Sequence, residues 1–143
     1  MNDFSLLNNR KIIDILIGDI KLFEQYGLPY MSGPNLCQLC TSFGFPQTYS
    51  WGGVNGSRWT YMQSLLIFLN KQGRVPELLS YLFNMSRFEE LNSLGDVDKI
   101  KDTHKSIISI ALKQINSHLL IAKKELRIIN NSFVLSDIGE KSV

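Results

Sequence analysis

Ser57-Arg-Trp-Thr-Tyr-Met-Gln-Ser-Leu-Leu-Ile-Phe-Leu-Asn-Lys-Gln-Gly-Arg-Val-Pro-Glu-Leu-Leu-Ser-Tyr-Leu-Phe83 reads as two helices joined by one tight turn. Ser57 is a helix-capping residue type, able to accept a bond from a backbone N–H of the opening turn. Gly73 can take the left-handed conformation that stops the first helix, and Pro76 fits the first turn of the second. Trp59, Met62, Leu65, Leu66 and Leu69 recur at helical spacing, and Leu78, Leu79 and Leu82 continue the pattern. A stripe of that size needs partner surfaces, so neighbouring helices are expected to pack against it.

Working outward, 143 residues suffice for one domain with its own core and no need of metal or disulfide support. At 44% apolar and 20% charged, the composition is that of an ordinary soluble globular chain. No apolar run is long enough to span a bilayer, and the start shows no basic region followed by a long apolar stretch. With two cysteines, Cys37 and Cys40, a secreted disulfide framework is excluded and a cytoplasmic location is expected. A net charge of +2 is too small to argue for nucleic acid by itself.

In chain order, residues 1–8 read as a loose start. Ile12, Ile13, Leu16, Ile20 and Phe23 predict a helix from Asn9 to Tyr26, capped by Asn8 or Asn9 and stopped by Gly27. Gly18 within it points to close approach by another element. Ser32 or Gly33 caps a helix from Pro34 to Gly44, with Leu36, Leu39, Cys40 and Phe43 inward. Residues 45–56 are an aromatic, glycine-rich loop. Residues 86–96 read as a short helical turn, followed by a long helix from Val97 to Leu120. Leu126–Ile129 and Ser132–Leu135 flank Asn130-Asn131, a hairpin signal that sets Ile128 opposite Phe133 and Leu126 opposite Leu135. The hairpin should lie on the long helix or pair with strands beyond this sequence. The expected fold is mainly α, a bundle of about five helices with a C-terminal two-stranded β-hairpin. It forms one helical domain over 1–143, its ordered core running from 9 to 136.

Candidate chemistry is sparse. Cys37-Gln-Leu-Cys40 has a zinc-like spacing, but the only histidines, His104 and His118, lie on one predicted helix about 21 Å apart. The thiols are therefore read as core packing, the histidines as ordinary boundary residues, and no metal, cofactor or catalytic residue is expected. Asp96, Asp98 and Asp102 alternate with lysines at a helix start and read as a solvated face. Arg58 stands in a first helical turn, where a cation is disfavoured. An anchor tying the 45–56 loop to the helix is the leading reading, and a partner contact the second. Lys123, Lys124 and Arg127 beside the hairpin match the wing of a winged helix-turn-helix. The helix over 76–83 carries Glu77 as its one charge, however, and offers little to read base edges.

Leu28-Pro-Tyr-Met-Ser-Gly-Pro-Asn-Leu36, Phe43-Gly44, Ser57-Arg-Trp-Thr-Tyr-Met62 and Leu78-Leu-Ser-Tyr-Leu-Phe83 carry a resemblance. Together with Ala111-Leu-Lys-Gln-Ile-Asn116 and the hairpin, they resemble the N-terminal helical module of bacterial abortive-infection proteins of the AbiJ-like kind. In such proteins the module precedes a C-terminal effector region, often a HEPN-type ribonuclease with an Arg four to six residues before a His. No Arg stands at that distance before His104 or His118. The resemblance implies a non-catalytic sensor, adaptor or oligomerisation module of anti-phage defence. It would work through a protein partner, a phage component or a second copy, with Tyr49, Trp51, Arg58, Trp59 and Tyr61 as its surface. The alternatives are a winged-helix nucleic-acid binder using Lys123, Lys124 and Arg127, and an enzyme with a site the sequence does not display.

Overall fold

The central pair forms as its sequence requires: α3 spans Arg58–Lys71 and α4 spans Val75–Phe83. Gly73 sits at φ 68°, and Pro76 lies in the first turn of α4. Ser57 is the N-cap of α3, but its side chain accepts no bond. Thr60 closes the turn from the other side, its Oγ1 donating to the Ser57 carbonyl at 2.6 Å. Met62, Leu65, Leu69, Leu78, Leu79 and Leu82 are fully buried.

The computed structural model describes residues 3–50 and 57–138. Around the pair lie α1 (Arg10–Leu16), α2 (Gly33–Ser42) and α5 (Val97–Ser117), with β1 (Lys124–Ile129) and β2 (Ser132–Asp137) closing the chain. Short 3-10 segments at Ser5–Leu7, Met85–Arg87 and Glu89–Leu94 complete the described elements. This is a mainly α fold with a C-terminal hairpin. Among the described residues no helix is long and apolar enough to cross a membrane.

Three expectations require correction. The first helix stops at Leu16 and does not reach Tyr26. Gly18 at φ 88° ends it, and the chain returns so closely that a Cβ there would lie 2.5 Å from the Tyr30 Cα. The close approach read from Gly18 is real, but glycine acts as the stop and not as an interior residue. Ile20 and Phe23 keep helical spacing yet fall in an irregular turn closed by a Phe23–Tyr26 bridge, where they pack half-buried on the core. Second, residues 3–8 are not loose: Phe4 and Leu7 are buried, and the Phe4 N–H donates to Asn70 Oδ1 at 2.8 Å. Third, α5 ends at Ser117, three residues early, and a tight turn carries Leu119 into the core before β1.

Other local signals operate as read. Asn9 caps α1 through bonds from the Lys11 and Ile12 N–H groups, and Ser32 caps α2 through Asn35. Asp96, read only as part of a solvated helix start, also caps α5 by accepting from the Asp98 and Lys99 N–H groups. Asn130 and Asn131 both take positive φ, which fixes the register with Leu126 opposite Leu135 and Ile128 opposite Phe133.

The hairpin is seated by two contacts. Asn116 of α5 accepts from the Leu126 N–H at 2.6 Å and donates to the Leu126 carbonyl at 3.1 Å. Phe133 meets Phe83 edge-on at 5.1 Å. Ile12, Ile13 and Leu16 of α1 and Ile107, Ala111 and Ile115 of α5 share one core with the central pair.

Candidate functional site: an arginine node and a ring-lined groove

Arg58 is the most connected polar side chain at the start of α3. Its Nε donates to the Met31 carbonyl at 2.7 Å, and Nη2 donates to the Ile17 carbonyl at 3.2 Å. Nη1 lies 2.9 and 3.0 Å from the two Asp19 carboxylate oxygens. The guanidinium plane sits 4.1 Å over the Tyr30 ring. The carboxylate offsets the unfavourable helix-end position. Arg58 is therefore an anchor that ties α3 to the 17–31 turn, while residues 51–56 of the loop it was expected to hold lie outside the described residues.

Tyr61 anchors the described part of the loop. Its side chain is buried, its hydroxyl accepts from the Ser50 N–H at 3.2 Å, and its ring lies 6.0 Å from Tyr49. Tyr49 in turn covers Gly33, where an added Cβ would fall 2.0 Å from Cε1 of the ring. Trp59 is half-buried with the Arg10 guanidinium 4.6 Å above it. Trp51 lies outside the described residues.

The sulfurs and the His104 imidazole are committed to packing. Burial, then the neighbouring Cys37, pushes the Cys40 thiol up to about 12, and burial likewise raises Cys37. Both are free thiols, and the Cys40 Sγ lies 3.7 Å from the Tyr61 carbonyl. His104 Nε2 is 2.8 Å from the Phe83 carbonyl, with the ring edge against Phe88, while His118 is exposed at the end of α5.

The basic residues near the hairpin do not form one stripe. Lys124 pairs with Asp137 across the strands. Arg127, opposite Val134, projects from the other face of the ribbon, and Lys123 occupies the left-handed turn before β1.

A concavity of about 430 Å³ opens between α2, the 30–31 segment and the end of α4. Tyr30, Phe43 and Tyr81 supply rings, Asn35, Gln38 and Ser42 supply polar groups, and Arg87 supplies the charge. Phe43 and Tyr81 meet edge-on at 6.4 Å, and the Arg87 guanidinium lies 4.9 Å from the Tyr81 ring centre. Arg87 Nη1 donates to the Leu82 carbonyl at 3.0 Å, and burial lowers its pKa. A second hollow of about 230 Å³ shares Tyr30 and Arg87 but is also lined by Glu89 and Glu90.

None of these groove residues was expected to form a site: Phe43 was placed on the inward face of α2, and Tyr30, Asn35 and Tyr81 entered only through the segments that carry the resemblance. The spacing of Asn35, Gln38 and Ser42 along α2 was legible as the stripe opposite the buried one. That Tyr30, Tyr81 and Arg87 meet it follows from the Gly18 crossing and the α4 exit, which periodicity does not encode. Comparison of the chain with family models, with curated proteins and with solved structures finds no match.

Proposed function

We propose that this chain is a non-catalytic sensor or adaptor module of a bacterial abortive-infection system, acting in the cytoplasm through protein contacts. The observation that carries this reading is where its reactive residue types are spent. Both thiols, His104, Arg58 and Tyr61 are engaged in holding the fold. Aromatic and arginine side chains are the types that dominate interface hot spots. The partner surface is assigned to Trp59, a partly exposed ring under Arg10 in the first turn of α3, and to Tyr49, which packs on Tyr61 from the preceding loop. Partners of the stated kinds are a phage component, a host protein or a second copy, and a longer parent chain would add the effector.

Phage plating on cells expressing the chain in its native reading frame tests this. Trp59→Ala is expected to abolish protection and to release the partner from affinity beads, with the melting temperature within a few degrees of wild type. Protection and partner retention that survive Trp59→Ala would overturn the assignment.

A further inference from the structure

We propose that the groove between α2, the 30–31 segment and the end of α4 binds a nucleotide, with its base against the rings and its phosphate on Arg87. The lining carries this whether or not the chain serves in phage defence. Three features of it converge.

The first is charge. Arg87 is the one charged residue of the lining, and among the described residues no carboxylate lies within ion-pair distance of it. Arg10, Arg58 and Arg74 each have one, Asp14, Asp19 and Glu77 respectively. A half-buried guanidinium without a counter-ion is unfavourable, and an incoming oxyanion relieves that cost. The Leu82 carbonyl holds Nη1 in place. A five-donor fork so fixed retains N–H groups for the bidentate geometry that phosphate prefers.

The second is shape. Tyr30 is 63% exposed, yet Arg58 stacked on it fixes its plane. Phe43 is set by its contact with Tyr81. Rings already held in position select a flat unsaturated group, and base stacking on such side chains is a main source of affinity for unpaired nucleotides.

The third is hydrogen-bonding capacity. Asn35 and Gln38 lie one turn apart on the exposed stripe of α2, and neither side-chain amide has a partner among the described residues. Each offers a donor and an acceptor, which is what reading a base edge requires. The volume falls within the range of small-molecule sites. A peptide carboxylate would satisfy Arg87 but leave the rings and amides without a role. In the adjoining hollow Glu89 and Glu90 repel an anion, so the phosphate is directed to the α2 side.

Titration of the isotope-labelled full chain, followed by its amide resonances, tests this. The probes are AMP, GMP, CMP and UMP, with inorganic phosphate and adenosine as controls and a four-nucleotide RNA as the second source of the same chemistry. At least one nucleotide is expected to shift the resonances of 30–43 and 81–87, and to bind about tenfold more tightly than phosphate or adenosine. Arg87→Gln should weaken it by about tenfold or more, the usual scale for a charged hydrogen bond. Because Arg87 also supports the Leu82 carbonyl, the surface variants Gln38→Ala and Tyr30→Ala serve as well, each expected to weaken binding by about threefold or more. Tighter binding of the RNA with the same variant pattern would support the site and identify a strand as the source. Three results would overturn it: equal binding of inorganic phosphate, insensitivity to all three substitutions, or no shift at millimolar nucleotide.

Discussion

At the scale of single residues, polar side chains in this protein act mainly as ties between backbone segments. Arg58 illustrates the point, because two of its acceptors are main-chain carbonyls of a turn that has no regular secondary structure. Arg58→Ala leaves Asp19 and both carbonyls without that donor and should cost about 2 kcal/mol in urea unfolding. Arg58→Lys should recover only part, since an ammonium cannot span three acceptors with the geometry of a planar fork. The thiols make a separate prediction. The folded chain keeps the Cys40 proton up to about pH 12, whereas the unfolded thiol releases it near its ordinary value of 9.0. Unfolding above pH 9 therefore releases a proton, so the stability contributed by this group is present below 9 and is lost as pH rises. A Cys37→Ala/Cys40→Ala variant should show a shallower alkaline decline than wild type. Thiol reagents at pH 8 should react only after denaturation.

At the scale of elements, the sequence is most reliable where a local signal and a buried stripe coincide. Gly73 and Pro76 define the α3–α4 turn because glycine takes a left-handed φ that a Cβ penalises, and proline carries the φ of a first helical turn ready-made and lacks the N–H that would go unbonded there. The same logic applied to 9–26 misled, since Ile20 and Phe23 satisfy helical spacing without being helical. Two glycines competed for the stop, Gly18 and Gly27, and both face tight backbone: a Cβ on Gly27 would lie 2.1 Å from the Ile20 carbonyl oxygen. Only the crossing of the 29–30 segment over Gly18 decides between them. Gly18→Ala meets both a positive φ and a main-chain clash. It should destabilise by about 2–4 kcal/mol, seen as a lowered denaturant midpoint, with broadened resonances through 17–31.

At the scale of the whole molecule, the hairpin and the helices share one core. An isolated two-stranded ribbon is marginal in water. Here Leu126, Phe133 and Leu135 are buried with the helical residues, and the Phe133–Phe83 contact joins β2 to α4. The amides of Leu126, bonded to Asn116, and Val134, paired with Arg127 across the ribbon, should therefore exchange with protection close to that of Leu65 and Leu79, as part of one cooperative unit. Phe133→Ala should lower global stability by about 3 kcal/mol and not merely loosen the ribbon. A hairpin exchanging far faster than α3 would show two units instead.

Sequence alone determined the α3–α4 pair and the register of the hairpin, and narrowed the caps of the first two helices to Asn8 or Asn9 and Ser32 or Gly33. Each is set within a few residues, by φ preference, by side-chain acceptors or by strict alternation. Tertiary structure alone decided which residues Arg58 holds, where α1 stops, and that Tyr30, Tyr81 and Arg87 border the polar stripe of α2. Those outcomes depend on which distant segments cross, and crossings are fixed by the packing of the whole core rather than by any local pattern.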